Sequence, residues 1–251
     1  MAGRRIRGTE GERARGKQPK LENVAATQAL HGSGILTAGL RVVNGINRTS
    51  TKPPETLPLR AFVAIELPTA MLRRLGTEIA KLQDLVDRRA IRWVESEAIH
   101  LTLQFLGEID DRTAELIASC LDEVCASYPP MSLDVGGLGG FPNLNRPRVI
   151  WIGIREPDRS LSMLQAEIEG GVSKFGIEAE DRAYYPHLTL GRLRREASQS
   201  EERQLADRLL KIQIADLGSI PVEGVSLMRS ELTRAGAVYS RLHYAPLGTS
   251  N

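Results

Sequence analysis

Two cysteines in 251 residues, Cys120 and Cys125, exclude a disulfide-stapled fold and leave no second pair to complete a structural zinc site. They lie five apart in an apparent helix, which reads as core packing in a reducing, cytoplasmic compartment. No apolar run approaches the roughly 20 residues that span a bilayer, so no membrane association is expected. Arg4 and Arg5 precede no continuous apolar segment, because residues 34–46 are broken by Thr, Gly, Arg and Asn; export is not expected. Net charge is also small, at +2, but unevenly placed. Residues 1–56 hold ten Lys or Arg against four Glu, a surplus of +6, and are rich in Gly, Ser and Thr up to Pro53 and Pro54. They read as a disordered basic extension ahead of one domain over residues 57–248.

Histidine is scarce too, with four in the chain, and two of them stand in copies of one tetrapeptide. His-Leu-Thr-Leu occurs at His100–Leu103 and again at His187–Leu190. Each copy sits in a β-like run, where alternation projects the His and its Thr from one face and both leucines from the other. Thr recurring two places after two of four His has a chance probability on the order of one to two per cent, given ordinary composition.

The surroundings of the motifs also repeat. Residues 60–67 (RAFVAIEL) read as a strand, Pro68 opens a helix to about Arg89, and the first motif strand follows near Ile99. In the second copy residues 149–154 (VIWIGI) are the strand, residues 160–175 have helical spacing, and the second motif strand follows. Helices then begin near Thr113 and Ser200, leading into strands near residues 131–135 and 219–228, and a last strand covers about residues 237–244. A β-α-β-α-β unit thus repeats with an offset of 87, in halves of about 59–140 and 148–247. Packed about a pseudo-twofold axis, the halves would aim both His-Thr pairs into one groove.

Two imidazoles and two hydroxyls, with no carboxylate, thiol nucleophile or Gly-rich phosphate loop at hand, suit one kind of reaction. Near neutral pH one imidazole serves as base and the other as acid. The threonine hydroxyls donate to phosphoryl oxygens. Opening a strained cyclic phosphate asks for little more. A catalytic zinc usually takes a third protein ligand, and Glu108, eight residues past His100, belongs to an expected loop. No metal and no other cofactor is expected.

These residues resemble the 2H phosphoesterase superfamily, which carries two His-x-Thr/Ser-x motifs, and within it the RNA 2',3'-cyclic phosphodiesterase branch, also labelled 2'-5' RNA ligase. The resemblance spans about residues 59–247. It rests on RAFVAIELP at 60–68, HLTLQFLGEI at 100–109, PHLTLGRLR at 186–194 and SELTRAGAVYSRL at 230–242. It implies a bilobal α+β fold whose antiparallel sheets line a central cleft. It also implies metal-independent opening of RNA 2',3'-cyclic phosphates to 2'-phosphomonoesters, with 2'-5' joining in related members. By the same resemblance His100 is the proton donor and His187 the acceptor, whereas sequence symmetry leaves these roles open. Thr102 and Thr189 accompany them, and Arg192 matches an arginine that binds substrate phosphate. RNA is then the partner of a monomeric enzyme. Enzymes for small nucleotide cyclic phosphates, and non-catalytic RNA-binding modules, stay as alternatives.

Strict alternation from Thr189 puts Gly191 on the cleft face and Arg192 on the back. A bulge at Gly191, or a reach around the strand end, would be needed to re-aim it. Trp93 reads as packing, His31 and His243 as exposed residues, and Tyr184 and Tyr185 either pack or stack on a base.

Overall fold

The computed structural model describes residues 58–86, 90–233 and 236–248; the basic extension, with His31 and the Pro53–Pro54 pair, lies outside them. The first strand, β1 (Leu59–Glu66), has two apolar faces. Leu59, Ala61, Val63 and Ile65 enter the main core, while Phe62 and Ala64 form a small cluster on the opposite face with Met228 and Tyr239. The motif strands β3 (His100–Ile109) and β6 (His187–Leu193) follow the expected alternation. Leu101, Leu103, Leu188 and Leu190 are buried, each such burial stabilising the fold by about 1.5–3 kcal/mol, and the His and Thr between them face outward.

Four helices among the described residues cover the leucine face: α1 (Thr69–Leu85), α2 (Asp111–Ala126), α3 (Ser160–Ser173) and α4 (Gln199–Leu209). Leu75, Leu121, Leu164 and Leu209 represent them in the core. Caps set where two of them begin. Asp110 Oδ1 accepts from the Thr113 amide at 2.7 Å, so α2 starts two residues before the expected Thr113. Ser198 and Glu201 form a reciprocal capping box at α4.

The remaining strands are β2 (Ile91–Trp93), β4 (Met131–Phe141), β5 (Val149–Arg155), β7 (Asp216–Val222), β8 (Gly224–Thr233) and β9 (Gly236–Pro246). They join β1, β3 and β6 in one antiparallel sheet of order β7-β4-β5-β6-β3-β1-β8-β9, with β2 beside β6. The order reads as a mirror about the β6/β3 junction, where a single register pair, Leu101↔Leu188, joins the two halves of the sheet. The antiparallel sheets expected to line the cleft are thus the two halves of one sheet.

The strand pairing crosses between the two repeats, residues 59–140 and 148–247. Strand β4 leaves the first repeat to pair with β5 and β7, and β8 leaves the second to pair with β1 and β9. The expected single strand over residues 219–228 is two strands, β7 and β8, which break at Glu223 and pair with different partners. The short β2 was not foreseen.

Candidate active site

Antiparallel pairing at Leu101↔Leu188 puts Thr189 across from His100 and His187 across from Thr102. Each motif therefore sets its hydroxyl opposite the other motif's imidazole, on the face that no helix covers. Both rings are held alike. His100 Nδ1 lies 2.9 Å from the Ala98 carbonyl and His187 Nδ1 lies 2.7 Å from the Tyr185 carbonyl. A carbonyl only accepts, so Nδ1 carries the hydrogen and Nε2 is left as the working nitrogen.

Aromatic rings fix the imidazole planes. Phe62 of β1 stacks on His100 with centroids 4.7 Å apart, and Tyr239 of β9 meets it edge-on at 5.0 Å. In the other lobe Phe141 of β4 meets His187 edge-on at 4.8 Å, and Trp151 of β5 lies at 6.1 Å. Burial pushes both imidazoles below their ordinary value of 6.5, and the carbonyl hydrogen bonds offset part of this. The weaker charge effects differ in sign. Glu66 favours the protonated form of His100, whereas Arg192 disfavours that of His187.

That carboxylate escaped the sequence reading. Glu66 stands directly across from His100 in the β1/β3 register, where its Oε1 accepts a 2.5 Å hydrogen bond from Ser226 and lies 3.4 Å from Arg241. The corresponding position across from His187 is Gly153.

Arg192 reaches the cleft face. Ile150 pairs with Gly191 and Trp151 with Thr189, so Leu190 is the extra residue of a bulge, after which the alternation reverses. Gly191 makes room for this: a Cβ there would lie 2.8 Å from Ile91 Cγ2 and 3.1 Å from Trp93 Cε3, because β2 runs directly alongside. Arg192 then lines a cavity of about 430 Å³ with Arg92, Trp93, Ala98 and Tyr239. Thr102 and His187 line a second one, of about 220 Å³, with Phe105, Phe141 and Tyr185. His100 and Thr189 line neither of these two and sit between them.

The other candidates fall away from the centre. His243, expected to be exposed, is partly buried, with Nε2 2.8 Å from Asp122 on α2. The Tyr184 hydroxyl reaches the Thr102 carbonyl at 3.4 Å, and Tyr185 packs on Trp151 at 5.1 Å while staying half exposed. Cys125 is buried with its thiol pushed up to about 12, inert for chemistry. Among the described residues no group of three or more His, Cys, Asp or Glu is placed to hold a metal ion, and no helix is long and apolar enough to cross a membrane.

The family model of the 2'-5' RNA ligase superfamily matches residues 72–233, which contain both motifs. The chain belongs to this superfamily. Relatives within it include RNA 2',3'-cyclic phosphodiesterases of Methanothermobacter thermautotrophicus, 32% identical over 73% of this chain and 96% of that protein, and of Methanocaldococcus jannaschii, 35% identical over 72% and 96%. Among solved structures, a Thermus thermophilus protein superposes with a TM-score of 0.64 at 26% identity, covering 77% of this chain and all of that one. Escherichia coli LigT complexed with 3'-AMP does so with 0.61 at 26%, covering 76% and 98%. The α+β fold is thus that of LigT-like members of the superfamily.

Proposed function

We propose that this protein hydrolyses 2',3'-cyclic phosphate ends of RNA to 2'-phosphomonoesters, using His100 as acid and His187 as base without a metal. The observation that carries the reading is the pair of imidazoles, each clamped through Nδ1 to a backbone carbonyl with a threonine from the other motif opposite. The names of the archaeal relatives supply the substrate class.

His187 Nε2 takes a proton from water, and the oxygen attacks phosphorus. The bond to the ribose 3'-oxygen breaks on the far side, where His100 Nε2 returns a proton. Thr102, Thr189 and the Arg192 fork hold the non-bridging oxygens, on which charge must be carried in the transition state. Glu66 beside His100 and Arg192 near His187 bias the two rings toward these roles. With an RNA hydroxyl in place of water the same geometry makes a 2'-5' linkage. Because one chain supplies both motifs, a monomer without obligate partners suffices, and its free thiols suit the cytoplasm.

Phosphorus NMR of the product from a cyclic-phosphate oligonucleotide tests the reading. A single 2'-phosphate is expected, in the presence of chelator, with turnover lowered about 10²- to 10⁴-fold by His100→Ala or His187→Ala. A 3'-phosphate, an isomer mixture, or activity lost in EDTA and restored by zinc would overturn it.

A further inference from the structure

The three-residue strand β2 carries a charge that the reaction leaves unused. Ile91 is buried in the main core, so alternation turns Arg92 to the open face, and the register sets it directly across from Arg192 of β6. Like charges in that relation repel and cost stability. Both side chains are exposed, and neither has an ion-pair partner among the described residues. Both line the cavity of about 430 Å³, where Glu95 is the one carboxylate set against them. The pair therefore keeps a surplus of positive charge facing that space, which an anion would neutralise.

This cavity adjoins His100. Its lining includes Ala98, whose carbonyl holds His100 Nδ1, and Tyr239, whose ring meets the His100 ring edge-on. Across it, Arg92 Nη2 lies 3.7 Å from where a Cβ on Gly236 would stand, so that guanidinium reaches the β8/β9 hairpin, while Arg192, on the motif strand itself, stays close enough to act on His187. The geometry of the substrate points the same way. In a ribose 2',3'-cyclic phosphate C3' is bonded to C4', which carries C5', so the strand leaves the sugar beside the 3'-oxygen. With that oxygen at His100, the next phosphate of the strand lies on the His100 side of the reacting one.

We infer that Arg92 holds the phosphodiester on the 5' side of the terminal nucleotide, next to the cyclic phosphate held by Arg192, and so selects RNA ends over free cyclic nucleotides. The inference rests on the hydrolytic reading above. A nucleoside 2',3'-cyclic phosphate with a free 5'-hydroxyl has no second anion to offer Arg92. The last internal linkage of an RNA strand has one, whatever the bases beside it. Arg92 touches no reacting atom, and its contact is made alike in ground and transition states, so it acts on KM and through KM on kcat/KM.

The test changes a single charge on the substrate. The full chain acts on an adenosine dinucleotide ending in a 2',3'-cyclic phosphate, with either the natural internal phosphodiester or a methylphosphonate, which is uncharged and nearly the same size. At low ionic strength kcat/KM is expected to favour the natural linkage at least about five-fold, mainly through KM. Arg92→Gln is expected to bring the two substrates within about two-fold of each other, and Arg92→Lys, which retains the charge, to keep the preference. Arg194→Gln removes an exposed charge that does not line the cavity and is expected to keep it too. General damage to the catalytic centre slows both substrates and cancels in the ratio. Equal kcat/KM on both linkages in the wild type, a preference that survives Arg92→Gln, or an equal loss in Arg194→Gln would overturn the subsite and leave the hydrolase intact. Opening of neither substrate would overturn the hydrolase reading, and the subsite with it.

Discussion

Glu66 and Gly153 occupy the same register position across from the two motif histidines, and this difference divides otherwise matched imidazoles. Glu66 favours protonated His100, so Glu66→Gln lowers that pKa. If His100 is the acid, which must be protonated to act, the alkaline limb of the kcat/KM profile moves to lower pH and the active range narrows. Were it the base, the acid limb would move down instead and the range would widen. Arg192→Gln, by the same logic, raises the pKa of His187 and moves the acid limb up. A pH profile of each variant therefore separates the roles as well as testing them. The direction in which each limb moves is the readout. At this scale the sequence was legible where period-two alternation governs: His100, Thr102, His187 and Thr189 share the face it assigns them. Glu66 was not legible, since its neighbour is set by the pairing register of two strands rather than by proximity in the chain.

At the scale of elements, the bulge in β6 decides what the cleft presents. Alternation alone sends Arg192 to the back of β6, and a bulge becomes visible only when the partner strand is known. Gly191 was the single cue in the sequence, and β2 shows why the position must be bare. Gly191→Ala forces Ile91 and Trp93 aside. The expected cost is about 1–3 kcal/mol of stability, typical of overpacking, accompanied by a rise in KM as Arg192 loses its aim. Thermal unfolding and steady-state kinetics measure the two effects. An alanine variant with wild-type Tm and KM would show that β2 yields freely and does not direct the arginine. Strand β2 itself, three residues long, is too short for any periodicity to announce it. The longer helices and strands were recognisable because each carries several turns or alternations of one pattern.

Across the whole molecule, the strand exchange makes the repeats mutually dependent. Residues 57–145 contain β4 but lack its partners β5 and β7, and residues 146–248 contain β8 but lack β1. Expressed alone, each fragment would leave an apolar edge strand unpaired and is expected to unfold without a cooperative transition by circular dichroism. Mixed in equal amounts, the two are expected to regain cooperative unfolding and cyclic-phosphate hydrolysis together. A fragment that folds and melts cooperatively by itself would show that the exchanged strands are dispensable.

The mirror order of the sheet also bears on ancestry. A gene encoding one repeat could assemble this cleft only as a homodimer, and such a dimer would hold two identical imidazoles in identical surroundings. Any mutation would then alter both at once. Fusion of two copies into one reading frame freed each position to change by itself, so that a glutamate could settle beside one histidine and an arginine beside the other. The unequal surroundings of the two histidines are, on this view, a product of joining the genes.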